Sequence, residues 1–170
     1  MSRSTMDAAD IHRRLRERLG NLVSAELKVA SWSLCDVKPQ SVAEVCRFLR
    51  DEPELAFDCL SNLSAVDRKG EDTIEVYYHL FSYKHRHRIA LRAATPRPDP
   101  VLPTVSHIWP IANWLEREAF DLLGVRFAGH PDLRRLLMPE DWVGHPLRKD
   151  FVEPEEYHGI STRRESLLKL

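Results

Sequence analysis

Apolar residues recur every four positions at Ile11, Leu15 and Leu19. That spacing predicts an amphipathic helix over residues 7–19, stopped by Gly20. Alternation through Ala25-Glu26-Leu27-Lys28-Val29, then an apolar-rich stretch from Trp32 to Val37, predicts one strand or two. Ser41-Val42-Ala43-Glu44 has the form of a capping box and opens a second helix, with Val42, Val45, Cys46 and Leu49 as its apolar stripe. Pro53 suits the first turn of a short helix carrying Leu55, Phe57 and Leu60. Three strands are expected next, from Leu63 to Val66, Thr73 to Leu80 and His85 to Ala93, with Asp67-Arg68-Lys69-Gly70 turning between the first two. In the second, Ile74, Val76, Tyr78 and Leu80 share one face. In the third, Ile89 and Leu91 point inward while Arg86, Arg88 and Arg92 point outward. Residues 1–93 thus read as an α+β core domain, a small, largely antiparallel sheet covered by helices on one face.

The pattern then changes. Residues 94–109 hold Pro96, Pro98, Pro100 and Pro103 and read as a stiff connector. A third helix over residues 110–124 starts at Pro110 and ends at Gly124. Its apolar side chains sweep roughly two-thirds of the circumference. Asn113, Arg117 and Asp121 are left as the polar face. Glu118 falls inside the apolar arc between Trp114 and Ile111, and Glu116 falls between Leu123 and Phe120. A helix this apolar is expected to be covered on more than one side, which implies a partner protein. Residues 125–170 form an extended C-terminal arm. From 127 to 159 it has no periodicity, yet it holds Leu133, Leu136, Leu137, Trp142 and Phe151. Gly-His-Pro occurs twice, at Gly129-His130-Pro131 and Gly144-His145-Pro146, each followed by an arginine, Arg134 or Arg148. The arm reads as a strap with leucine and tryptophan anchors and arginine forks, with residues 127–152 ordered only against a partner.

Charge and cysteine content narrow the chemistry. Of 170 residues, 25 are Lys or Arg and 26 are Asp or Glu, so a chain-wide basic field for nucleic acid is excluded. No run of about 18 apolar residues is present, so membrane association is expected only through other subunits. Cys35, Cys46 and Cys59 form no CxxC pair and are too few for a structural zinc site or an iron–sulfur cluster; they read as buried, reduced thiols of a cytosolic protein. His85 and His87, considered together with His79, have no carboxylate or cysteine at ligand spacing and read as polar sheet-edge residues rather than a metal site. Glu116 and Glu118 point roughly 160° apart on a helix, so they do not flank one substrate. They are expected to form structural ion pairs with Arg134, Arg135, Arg148 or Lys149, and Glu118 specifically with Arg134, Arg135 or Arg148. No catalytic, cofactor-binding or metal-ligating residue is assigned. Two readings of other classes remain: a stand-alone enzyme using Glu116, Glu118 and His130, and a nucleic-acid binder using Arg86, Arg88 and Arg92.

The stretch Glu116-Arg117-Glu118-Ala119-Phe120-Asp121-Leu122-Leu123, followed by His130, Arg134 and Leu136-Leu137, resembles the signature of the C-subunit family of respiratory complex I, the 30 kDa subunit. Ile108-Trp109-Pro110, Met138-Pro139-Glu140-Asp141-Trp142 and Gly144-His145-Pro146-Leu147-Arg148-Lys149-Asp150-Phe151 agree with it. The resemblance implies a scaffold and assembly subunit of the peripheral arm of NADH:quinone oxidoreductase, on the cytoplasmic face of a bacterial cell membrane. It implies the D subunit of that enzyme as first partner, then its B subunit. Flavin, iron–sulfur clusters, NADH and quinone would sit in neighbouring subunits. Glu116, Arg117, Glu118, Asp121, His130, Arg134, Arg135, Trp142, His145 and Arg148 would be signature and docking positions. Similar subunits in membrane-bound NiFe hydrogenases and in ferredoxin- or F420-linked relatives of complex I are the alternative.

Overall fold

The four-residue apolar spacing near the start of the chain forms α1 (Ala8–Leu19), with Ile11 and Leu15 inside the core. The computed structural model describes residues 6–29 and 32–162. A single 3-10 turn leads from α1 to β1 (Val23–Val29), which pairs antiparallel with β2 (Trp32–Val37). Helix α2 (Val42–Asp51) buries the expected stripe of Val42, Val45, Cys46 and Leu49. The capping box does not close: Ser41 belongs to the 3-10 turn Pro39–Ser41, its φ of −101° and ψ of 2° are not extended, and its side chain makes no cap bond.

The short helix expected at Pro53 is absent. Glu52 has the extended ψ of 116° that a following proline favours. The amides of Leu55 and Ala56 both donate to the Glu52 carbonyl, and Ala56 sits at φ 43°. The result is a tight turn that sinks Leu55 and Phe57 into the core and delivers the chain to β3. Strand β3 (Cys59–Arg68) is longer than the sequence pattern indicated, so Asp67 is a strand residue, and the turn falls on residues 69–72. Strand β4 (Thr73–Phe81) buries Ile74, Val76, Tyr78 and Leu80, as its alternation predicts. The third predicted strand starts late. Arg86 has φ 57°, and the bonds Arg86 N to Ser82 O and Ser82 N to His87 O make residues 82–87 a hairpin turn. Strand β5 therefore runs Arg88–Pro96, with Ile89 and Leu91 inward.

Strand order is β1-β2-β5-β4-β3, with only the β2–β5 pair parallel. The architecture is α+β, with β1 and β3 at the sheet's edges. The proline-rich stretch is not wholly a connector: β6 (Val101–Pro103) pairs parallel with β7 (Arg126–Ala128), on either side of α3 (Ala112–Leu123). That clamp sets α3 beside β3, and Leu102, Trp109, Ala112, Leu123 and Phe127 join the same core as α1 and α2. The indole of Trp109 donates to the Phe57 carbonyl at 3.1 Å and ties the two parts together. A small hairpin, β8 (Glu156–Tyr157) and β9 (Ile160–Ser161), closes the described arm.

Candidate functional site

Helix α3 and the arm that returns over it hold most of the residues singled out by sequence. Asp121 is the centre. Its carboxylate is fully buried, and Oδ2 accepts the backbone amides of Leu136, Leu137 and Met138 at 3.0, 2.6 and 2.8 Å. Oδ1 accepts Arg135 Nη1 at 2.7 Å. Burial alone would push this carboxyl up. The three amides and the guanidinium outweigh burial and hold it below the usual carboxylate range. Arg135 spends its other Nη on the carbonyls of Trp142 and Gly144, so one helix residue organises ten residues of extended chain. Three consecutive amides converge on one oxygen because residues 134–138 bend around it. No side-chain periodicity records such a bend.

Arg117 and Asp121 are one turn apart, and both face the arm. Arg117 donates to the carbonyls of Arg134 and Arg135, while its guanidinium lies 5.2 Å from the centre of the Trp114 ring. Further along, the arm saturates the carbonyls that end α3. His145 Nδ1 donates to Asp121 O at 2.9 Å, Arg148 Nε to Leu123 O at 2.8 Å, and the Leu147 amide to Leu122 O at 3.0 Å. Burial lowers the His145 pKa, consistent with a neutral ring there. Gly124 makes this approach possible: its φ is 77°, and a Cβ there would lie 2.6 Å from His145 Nε2 and 2.8 Å from Arg148 Nη2.

Glu116 faces the opposite way, into the core. Its oxygens accept Thr104 Oγ1 at 2.5 Å and the Val105 amide at 2.7 Å, which pins the turn before α3. Burial raises its pKa to about 7, against the pull of those two donors. The ring of His130 lies 3.9 Å away, too far for a hydrogen bond. It accepts the Asp132 amide and donates to Asn113 O instead. The buried Cys46 thiol and Tyr78 hydroxyl also sense the Glu116 charge, and burial pushes both of them up.

Several expectations are corrected. Glu118 is exposed and pairs with none of the three expected arginines: Arg134 pairs with Asp132, Arg135 with Asp121, and Arg148 bonds the helix carbonyl. Glu116 does not meet the expected Arg134, Arg135, Arg148 or Lys149 either, because α3 packs with Glu116 inward, onto Thr104 and the Val105 amide, and leaves Ile111, Trp114 and Glu118 outward. The arm from residue 133 to 148 is not free of its own chain either, since α3 holds its polar groups. Trp142 does anchor, but against Tyr157 and Phe151 of the arm itself, with ring separations of 5.1 and 6.5 Å. His85 and His87 stack 5.4 Å apart and bond the carbonyls of Pro53 and Leu55, bracing the turn at 53–57. Among the described residues, no group of three or more His, Cys, Asp or Glu side chains is placed to hold a metal ion.

A second latch was not foreseen. Asp67, buried at the end of β3, accepts Arg97 Nε and Nη2 at 2.8 and 3.0 Å and the Lys149 amide at 2.8 Å. Arg97 also pairs with Asp150. Arg97 lies between Pro96 and Pro98, a placement that fixes its backbone and so aims its side chain.

Comparison with known proteins places this geometry. Residues 35–157 match the family model of the respiratory-chain NADH dehydrogenase 30 kDa subunit. The NADH-quinone oxidoreductase C subunit of Roseiflexus sp. (strain RS-1) is 45% identical over 146 residues, 85% of this chain and 84% of its own. The protein of the same name from Geobacter sulfurreducens is 47% identical over 129 residues, 72% of this chain and 78% of its own. Among solved structures, a trypsin-resistant fragment (1–134) of Nqo5 superposes with a TM-score of 0.61 at 28% identity, covering 72% of this chain and 98% of the fragment. A chain of the archaeal membrane-bound sulfane sulfur reductase superposes with a TM-score of 0.62 at 23% identity, covering 85% of each, and shares the fold. The chain belongs to the 30 kDa subunit family of respiratory complex I, the C-subunit family of NADH-quinone oxidoreductases.

Proposed function

We propose that this member of the family is a non-catalytic scaffold subunit of the peripheral arm of a proton-translocating NADH:quinone oxidoreductase, with the D subunit as its first partner and the B subunit beside it. The observation that supports this reading is the way the arm is turned. Its polar groups face inward and are satisfied by α3, through Asp121, Arg117 and the carbonyls at the helix end. Four of its apolar side chains face outward: Leu137, Val143, Leu147 and Val152 are 62, 84, 56 and 85% exposed, while Leu133 packs on the core. Water-facing chain ordinarily shows the reverse, and an apolar strip of this kind marks a protein contact. Latched from behind, the arm needs little further ordering on docking, so less of the contact energy is lost to entropy.

In this reading Glu116 and Asp121 position chain and take no part in redox chemistry. Flavin, iron–sulfur clusters, NADH and quinone belong to neighbouring subunits. Among the described residues, no helix is long and apolar enough to cross a membrane. The chain would therefore reach the cytoplasmic face of the membrane only through its complex. A second reading draws on the shared fold with a chain of a sulfane sulfur reductase, a respiratory membrane complex of another kind. This reading keeps the scaffold role and changes the electron donor, as in ferredoxin- or F420-linked relatives or a NiFe hydrogenase. Purification of the tagged chain from solubilised membranes, with its companions identified, separates the two. An NADH-binding flavoprotein together with the D and B subunits is expected. A nickel-binding companion would favour the second reading, and recovery of the chain alone would overturn both.

A further inference from the structure

Strand β3 ends the sheet on one side. Edge strands are ordinarily protected by short length, charge or proline. Between the irregularity at Leu60/Asn62 and the latch residue Asp67, the segment Asn62-Leu63-Ser64-Ala65-Val66 has no charge, proline or glycine. Alongside it runs a groove of about 280 Å³ whose other wall is α3, through Leu115, Glu118 and Leu122, with Leu147 of the arm closing one end. In this groove Leu115 and Leu122 are half-buried, and toward the start of α3, beyond its lining, Ile111 and Trp114 are 50 and 56% exposed. Of the residues lining the groove, Glu118 alone carries a charge.

We propose that the outer edge of β3 and the groove beside α3 receive an extended segment of a partner protein by strand addition, with a Lys or Arg of that segment opposite Glu118. The inference rests on the scaffold reading, because it supposes a complex. Every second residue of β3 directs its amide and carbonyl away from β4, so an added strand gains a ladder of backbone bonds over residues 62–66. Alternate side chains of that strand drop toward Leu115 and Leu122 and would complete the cover of these half-buried residues. A single acid amid apolar surface selects a cation and fixes the register of the incoming strand. Pairing with β3 of a second copy would instead bring two uncharged edges together and leave both Glu118 carboxylates without a cation.

Amide exchange on the full chain, alone and in the purified complex, tests this. Alternate amides within residues 62–66 are expected to exchange quickly in the free chain and about 100-fold more slowly in the complex. A photoreactive phenylalanine analogue at Ser64 should form adducts with one contiguous segment of a partner protein that contains a Lys or Arg. Glu118→Lys should reduce recovery of the complex more than Glu118→Gln does, with melting of the free chain unchanged in both. A complex that contains this chain but leaves those amides fast would overturn the inference and leave the scaffold reading standing. Adducts to residues 163–170 or to a second copy would also overturn it. Failure to recover the chain in any complex would overturn the scaffold reading itself, and this inference with it.

Discussion

Replacing Asp121 by Asn changes one atom at the centre of the arm's latch. The carboxylate receives three amides on one oxygen and Arg135 on the other. Asparagine can offer its oxygen to the amides, but its NH2 then meets Arg135 donor to donor across 2.7 Å. Breaking a buried ion pair costs about 3–5 kcal/mol. Arg135 keeps the carbonyls of Trp142 and Gly144 and is 17% exposed, so the lower value, about 3 kcal/mol, applies. The loss falls on opening of the arm, not on global unfolding, and corresponds to roughly 100-fold faster exchange. The amide to watch is Leu147, which bonds Leu122 O and touches no altered atom. Hydrogen exchange by NMR on wild type and Asp121→Asn should show that amide about 100-fold faster, with amides of β4 unchanged. Unchanged exchange at Leu147, or equal acceleration throughout β4, would refute the latch. Acid should act in the same direction. The Asp121 carboxyl titrates below its ordinary range, so its contribution is complete above the unfolded pKa of about 3.9. It is lost as pH falls through the depressed folded value.

Further predictions follow from the same contacts. Gly124→Ala should destabilise the chain by about 1–2 kcal/mol from the left-handed backbone alone, and more from the collision with His145 and Arg148, read as a lowered urea midpoint. Glu116 is an acid with a raised pKa, so its protonated form is favoured by the fold. Its contribution is full below the unfolded value of about 4.3 and declines as pH rises to about 7. Glu116→Gln should therefore flatten the pH dependence of chemical denaturation across that window, whereas an unchanged slope would contradict the assignment. Asp67→Asn should free the Lys149 amide to exchange while leaving those of residues 136–138 protected, because the two latches are separate. Equal release of both segments would show a single cooperative arm.

Helices α1 and α2 and strand β4 were legible because their apolar residues follow the period of the structure they form. Ile11 and Leu15, the stripe of α2 and the alternation of Thr73 to Leu80 all read correctly. Local backbone decisions did not. Positive φ at Ala56 and Arg86 turned a predicted helix and the start of a predicted strand into turns, and neither residue type advertises that conformation. The wheel of α3 gave correct angles and the wrong exposure. Periodicity says which residues share a side, but the return of the arm and the β6–β7 clamp decide which sides are covered. Asp121 and Arg117 are polar and buried because the arm folds over them. Glu118 lies among apolar residues and is exposed because none of the described residues covers that flank. The signature pointed to α3 and its arm without stating their contacts. Asp67 and Arg97, which hold residues 149 and 150, lie far from it in sequence and read as turn and connector.

The central claim is that α3 and its arm serve assembly and not chemistry. It is tested most directly by NADH-driven quinone reduction in membranes carrying Asp121→Asn, normalised to the amount of assembled complex. The account predicts less complex, with each assembled copy turning over at the wild-type rate. A normal amount of complex with quinone reduction lost would contradict it.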